Sequence, residues 1–420
     1  MKQLLWVEIR RSPAKWWCGL SLTVIVAYLL VSHQQWVGVW PQASMAAQVG
    51  AGLASPLMTA AAAWVGFQRS KSQMGPQTTA SARNPWERES LPLLAVLAWA
   101  FVPIVVGFLA MAVVNYGATS SGHLWPTFLW LALVTTLIGV SAGYFLGRCL
   151  PSPFTVAAAA LIMFMVLFLG ETNERLALLT YYGYPDETVS WPALAARVGL
   201  AVSLLLLALS VGAMRDWAAT RSLSPATGWK VVTGLVVVMA VGVYVAGPLQ
   251  TERYFYGQVV CTDTYPVACL WPEHEKYLPL VSEYVERFNE LDEFLVLPDD
   301  PYKGIDEFWE AGTRNPNDQL TMFGGEFGTA SSMVEYAIGA TDFPGCHVDS
   351  DHAEYETLAE AYWQLVDWFT LYIMDVDSLS TLDVFVPGID ALEPVLQLPI
   401  EEQFAWARAT VAQMKAPCDG

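Results

Sequence analysis

Long apolar runs alternate with short polar loops as far as residue 250, and beyond it the alternation stops. The last such run, Trp229–Leu249, reads WKVVTGLVVVMAVGVYVAGPL. At ~1.5 Å rise per residue, a helix of this length covers a ~30 Å hydrocarbon core. Six earlier runs lie at about Cys18–Val31, Ala43–Phe67, Leu91–Val114, Pro126–Leu146, Phe154–Leu169 and Trp191–Met214. The pattern therefore predicts seven transmembrane helices over 18–249. The first 17 residues, MKQLLWVEIRRSPAKWW, mix apolar and basic positions and predict a short interfacial helix ending near Pro13. A cationic start followed by a short apolar core would also suit a signal peptide.

Within the runs, a few residues predict local geometry. Pro56 is expected to kink the second run. Gly139, Gly143 and Gly147 form a GxxxGxxxG face that permits close helix approach; small residues facing lipid are the plainer alternative. The loop at 170–190 has an apolar middle, Leu176–Tyr182, and is expected to dip back toward the membrane. Arg197 is expected to snorkel to the outer edge of the sixth run.

Charge divides the chain at the same boundary. Residues 1–250 carry 14 Lys and Arg against 8 Asp and Glu, whereas 251–420 carry 7 against 32. So acidic a tail excludes a nucleic-acid partner and is repelled by anionic headgroups, so it is expected in water. The N-terminus and alternate loops hold twelve Lys and Arg, and the opposite short loops hold only Arg175, with Arg197 at a span edge. That bias places the N-terminus in the cytoplasm and residues 250–420 outside the plasma membrane.

The exported domain contains Cys261, Cys269, Cys346 and Cys418. Four cysteines allow three disulfide connectivities, and Cys261–Cys269 with Cys346–Cys418 is the favoured one. A mostly helical domain with little β-structure is expected, with helices near Glu273–Leu291, Ala330–Ala340, Asp351–Met374 and Ile400–Lys415. Aromatic residues of the third, Tyr355, Tyr362, Trp363, Trp368, Phe369 and Tyr372, are numerous enough for a core. Clustered aromatics beside acids would also suit a carbohydrate or a cationic peptide.

Catalytic chemistry is sparse. No GxxxxGK[ST] stretch occurs, so any ATP hydrolysis must come from a partner. The His274-Glu275 pair continues to Leu278 where a zinc peptidase needs its second histidine. His347 and His352 lie among Asp349, Asp351 and Glu354, but a solvated loop and helix cap is the simpler account of them than a metal site. No catalytic residue and no cofactor is expected. The central thirds of the seven runs contain no Asp, Glu or Lys, which argues against proton- or sodium-coupled transport.

A basic interfacial helix, six spans, a basic loop between the second and third, and an external loop between the fifth and sixth resemble the permease subunits of type-2 ATP-binding-cassette exporters. The stretches VEIRRSPAKWW and ASPLMTAAAAW running into FQRSK are similar to an actinobacterial branch of that family. Members of this branch carry a seventh span and an outer domain opening on a Cys…Pro-x-x-Cys…Pro segment, here CTDTYPVACLWPEHEKYLP, Cys261–Pro279. The resemblance implies a cytoplasmic ATP-binding-cassette ATPase as partner and a dimer formed through membrane spans. By position it implies ATPase contacts from Glu8, Arg10, Arg11 and Lys15 and from Arg69, Lys71, Arg83 and Arg88. Ordinary permeases lack the seventh span and the tail. A non-transporting receptor or scaffold that anchors an outer binding domain is the alternative from a different class, and a tethered hydrolase a weaker third.

Overall fold

The computed structural model describes residues 2–71, 85–118, 122–181, 183, 187–220, 226–253, 260–264, 268–292, 294, 330–331, 333–335, 353–379 and 389–415. The chain divides into two compact units, Met1–Arg253 and Tyr254–Gly420.

In the first unit, α1 (Lys2–Arg11) precedes α2 (Ala14–Val31), α3 (Trp40–Lys71), α4 (Pro85–Ala118), α5 (Pro126–Cys149), α6 (Phe154–Thr172), α7 (Trp191–Thr220) and α8 (Ala226–Val245). Among the described residues, five helices are long and apolar enough to cross a membrane: Ala14–Val31, Trp40–Lys71, Arg88–Ala118, Pro126–Cys149 and Trp191–Gly212. Phe154–Phe168 and Lys230–Val245 are shorter apolar helices. The chain is thus a largely helical, polytopic protein built for a membrane.

Helix α3 is the hub, and it packs against α2, α4, α5 and α6. Its composition explains this. Ala, Gly and Ser make up nearly half of it, and nearly every residue from Trp40 to Phe67 is buried. Small side chains let backbones approach on every side, and in lipid that packing replaces the missing hydrophobic drive. The tightest seam is with α5. A β-carbon on Gly147 would fall on the Ala63 carbonyl oxygen, and one on Gly143 on the Thr59 carbonyl oxygen. One on Gly139 would meet the Thr59 hydroxyl. The GxxxGxxxG face is therefore a helix-packing face and does not point to lipid. The seventh apolar helix, α8, packs mainly on α7.

A short ribbon closes one end of this unit. Strand β1 (Glu187–Val189) pairs antiparallel with β2 (Gln250–Glu252), Thr188 opposite Thr251. The Ser190 amide also donates to the Leu249 carbonyl at 2.8 Å. At that same end Asn115 Oδ1 accepts the Gly38 amide at 2.8 Å, and Ser44 Oγ accepts the Trp125 amide at 3.1 Å. At the opposite end, the Trp99 indole donates to the Ile9 carbonyl at 2.8 Å and fastens α1 to α4. These bonds put α1 and the ribbon at opposite ends of the bundle.

The second unit holds β3 (Val260–Cys261) and β4 (Cys269–Leu270), antiparallel, then α9 (Leu278–Phe288), α10 (Ala353–Ile373) and α11 (Ile400–Lys415). The expected helix near Glu273–Leu291 begins and ends as 3-10 turns, Pro272–Tyr277 and Asn289–Leu291, around α9. Val281, Tyr284, Val285 and Phe288 recur at helical spacing and form its buried stripe. They join Leu365, Trp368 and Phe369 of α10 in one core. Trp368 lies at its centre, its indole donating to Gln403 Oε1 at 3.1 Å. Of the α10 aromatics, Trp368 and Phe369 are buried, Tyr362 and Tyr372 half-buried, and Trp363 exposed.

Candidate functional site

Two polar constellations stand out in an otherwise apolar bundle, one at each end. The first is at the α1 end. Glu89 lies on the first turns of α4 and Tyr144 and Arg148 on the last turns of α5, while Ser70 sits near the end of α3. All except Ser70 are nearly solvent-free. Arg148 Nη2 approaches Glu89 Oε1 at 2.5 Å, and its Nε donates to Glu89 Oε2 at 3.1 Å. The Tyr144 hydroxyl donates to the same Oε2 at 2.5 Å. Arg148 Nη1 donates to Ser70 Oγ at 3.0 Å, and the Ser70 hydroxyl returns a bond to the Arg148 carbonyl at 3.1 Å. A β-carbon on Gly212 would lie 3.1 Å from Glu89, so α7 lines the same spot.

The bidentate fork is the geometry arginine makes best with a carboxylate. Chemically the cluster is a lock: it fastens the ends of three helices by charge-assisted bonds where water does not screen them. The lock is supported by a second tie, Arg69 Nη2 donating to the Arg88 carbonyl at 2.7 Å.

Among the described residues, the expected ATPase contacts lie on α1, at the start of α2 and at the adjoining ends of α3 and α4. Glu8 is half-buried, and Arg10, Arg11 and Lys15 are exposed. Arg10 rests 4.6 Å over the Trp6 ring, and Lys15 5.4 Å over that of Trp16. Arg69 and Arg88 are half-buried and Lys71 is exposed. The α1–α4 bond and the Arg69 tie bring the two sequence-separated segments to one end of the bundle. Arg83 lies outside the described residues, as do Cys346, Cys418, His347 and His352.

The second constellation is at the ribbon end. The segment 173–181 enters the bundle, and Ala177, Leu178, Leu179 and Thr180 are all buried. Leu179 places its methyls 2.5 Å from where a β-carbon on Gly52 would sit. Only glycine leaves that notch open, and Pro56, which lacks an N–H, removes the amide that would bond the Gly52 carbonyl in a regular helix. Thr135 Oγ1 donates to the Leu178 carbonyl at 2.7 Å, and Thr180 Oγ1 donates to Gln48 Oε1 at 2.9 Å. The loop therefore does turn inward. Arg197 does not snorkel: it is wholly buried and bonded to main-chain carbonyls. The inward loop supplies acceptors that a guanidinium near a span edge would otherwise seek in water.

In the second unit, Cys261 lies directly opposite Cys269. The neighbouring Thr262 amide bonds the Ala268 carbonyl at 2.9 Å, so the cysteine pair occupies a non-hydrogen-bonded position, where side chains are closest. His274 is buried, and its Nε2 has no hydrogen-bond partner among the described residues. Burial, with the Lys276 charge nearby, lowers its pKa to about 4. Burial and then the Glu335 charge raise the Asp367 carboxyl to about 6.

Sequence reasoning missed Glu89, Tyr144, Ser70 and Arg148 as a unit. The available signal was Glu89 directly after Arg88 of the basic loop and two residues before the apolar run, and Arg148 directly following the glycine face. Comparison with protein families, with curated proteins and with solved structures gives no match.

Proposed function

We propose that the chain is the permease-like membrane subunit of an ATP-driven transporter, energised by a separate cytoplasmic ATPase. All seven apolar helices span the membrane, with α1 in the cytoplasm and Tyr254–Gly420 outside. The observation that carries this reading is the α1 end of the bundle. There an amphipathic helix bonded to α4 and the basic ends of α3 and α4 lie at one end of the bundle, with Arg10, Arg11, Lys15 and Lys71 exposed. The buried Glu89–Arg148 lock under that face is the element through which a push on it would reach α3, α5 and α7. Neither unit supplies a phosphate-binding loop, so the energy source is a partner.

The Cys261–Cys269 disulfide belongs to the same proposal. Its support is the directly opposed, non-hydrogen-bonded register of the two cysteines. Such a bond fits an oxidising compartment.

A scaffold that merely anchors the outer unit is the second reading. It is favoured by the self-contained core of Tyr254–Gly420. Gentle purification from the native membrane with mass spectrometry separates the two. A stoichiometric protein bearing a Walker A motif, lost on replacing Lys71 and Arg10 by Glu, supports the permease. Recovery of only extracytoplasmic or other membrane proteins supports the scaffold and removes transport.

A further inference from the structure

Arg197 is fully buried in the first unit, and among the described residues its partners are three main-chain carbonyls. Nε donates to Ala177 at 2.7 Å, Nη1 to Ala193 at 2.9 Å, and Nη2 to Arg175 at 3.1 Å. Ala193 belongs to its own helix, whereas Arg175 and Ala177 belong to the inward loop. Carbonyl oxygens satisfy donors but carry no charge. A buried cation in apolar surroundings is costly and marks a pathway or a counter-ion site. A loop strut alone could be made by a neutral amide.

Two more helices offer polar groups to the same loop. Thr135 donates to the Leu178 carbonyl, and Gln48 holds Thr180 through Oε1. The Gln48 Nε2 donor is buried and has no hydrogen-bond partner among the described residues. The helices around the loop are thus rich in donors, and the loop meets them with carbonyl oxygens followed by the Leu179 methyls in the Gly52 notch. An anionic head with an apolar tail presents the same sequence of groups.

We propose that Arg197, with Gln48 and Thr135, is the binding site for an anionic amphiphile, and that the loop carbonyls of Arg175, Ala177 and Leu178 occupy it when the loop is seated. This rests on the transporter reading and names its substrate class. The loop gives up two of the three Arg197 bonds when it withdraws, and a carboxylate or phosphate head replaces them with charge-assisted ones.

The test uses full-length protein in a maltoside detergent, with submicellar dodecyl phosphate as probe and the thermal midpoint as readout. A ligand that binds only the folded chain raises the midpoint saturably. Dodecyl phosphate is expected to do so, while dodecyltrimethylammonium and inorganic phosphate at equal concentration do not. Arg197→Gln removes the shift. Arg197→Lys weakens apparent affinity about tenfold, because an ammonium cannot make the planar fork. Leu179→Ala, which unseats the loop, strengthens it several-fold. Should Arg197→Gln fail to fold, the pair Gln48→Leu and Thr135→Val keeps the charge and still weakens binding several-fold. An unchanged shift in Arg197→Gln, or in that pair where the glutamine variant does not fold, overturns the proposal. So does an equal shift from the cationic amphiphile or from inorganic phosphate. Absence of an ATPase partner removes transport but leaves this binding intact, so the two failures are told apart.

Discussion

Removing one partner from the Glu89–Arg148 pair strands a charge among three helix ends. The pair is bidentate, at 2.5 and 3.1 Å, with side chains only 5% and 9% exposed, so solvent screening is slight. Breaking a pair this deep costs about 3–5 kcal/mol, most of it the penalty of the orphaned ion. Replacing both members with apolar residues of similar volume removes that penalty, and the net change falls to about zero or becomes stabilising. Glu89→Leu, Arg148→Met and the double variant therefore form a cycle whose coupling energy is expected at about 3 kcal/mol or more. Tyr144→Phe withdraws one bond to a charged acceptor and should cost about 1.5–3 kcal/mol. Unfolding of purified protein in mixed micelles, titrated with sodium dodecyl sulfate, reads each value. If the double variant costs the sum of the singles, or each single costs under about 1 kcal/mol, the lock is not a unit and the reasoning fails.

Three further outcomes follow from named contacts. Gly147→Ala drives a methyl onto the Ala63 carbonyl, a backbone atom that cannot swing away. It should cost about 1–3 kcal/mol in the same titration, whereas Gly19→Ala, in open space, stays within about 0.5 kcal/mol of wild type. The lowered His274 pKa makes the unfolded state bind a proton first. Its stability contribution is therefore complete above pH 6.5, is lost between 6.5 and about 4, and amounts to about 3 kcal/mol. Thermal proteolysis of the second unit should show that pH dependence reduced in His274→Phe; an unchanged slope contradicts it. A Cys261–Cys269 bond leaves the tryptic peptide from Tyr254 to Lys276 unalkylated until reductant is added. It stabilises by about 2–3 kcal/mol for a loop this short. Alkylation at both sites without reductant refutes it.

Much of the bundle was legible because its signals are local. Each of the seven apolar runs forms a helix, five of them long and apolar enough to cross a membrane among the described residues, and the α11 boundaries at Ile400 and Lys415 match the expected ones. Gly139, Gly143 and Gly147 announced their seam because only a missing β-carbon permits it. The apolar middle of 170–190 foretold the inward loop. What the sequence hid depends on separation along the chain. Glu89 and Arg148 lie 59 positions apart, and each resembles an ordinary charge at a membrane edge. The sequence alone points Arg197 to the membrane edge because its true acceptors are main-chain carbonyls, which carry no residue identity. The β1–β2 ribbon was missed because three-residue strands hold too few positions for alternation to register. In the second unit, Trp363 was grouped with the core although helical periodicity places it away from Trp368 on the outer face of α10.

The central claim is an ATPase seated on the α1 end of the bundle. A photo-crosslinking residue at position 71, and separately at position 10, interrogates that face in intact native membranes. The account predicts that both sites yield the same adduct, containing a cytoplasmic protein with a Walker A motif, and that a probe at the exposed Tyr116 near the opposite end does not. Adducts from positions 71 and 10 that contain only lipid or extracytoplasmic proteins would contradict it.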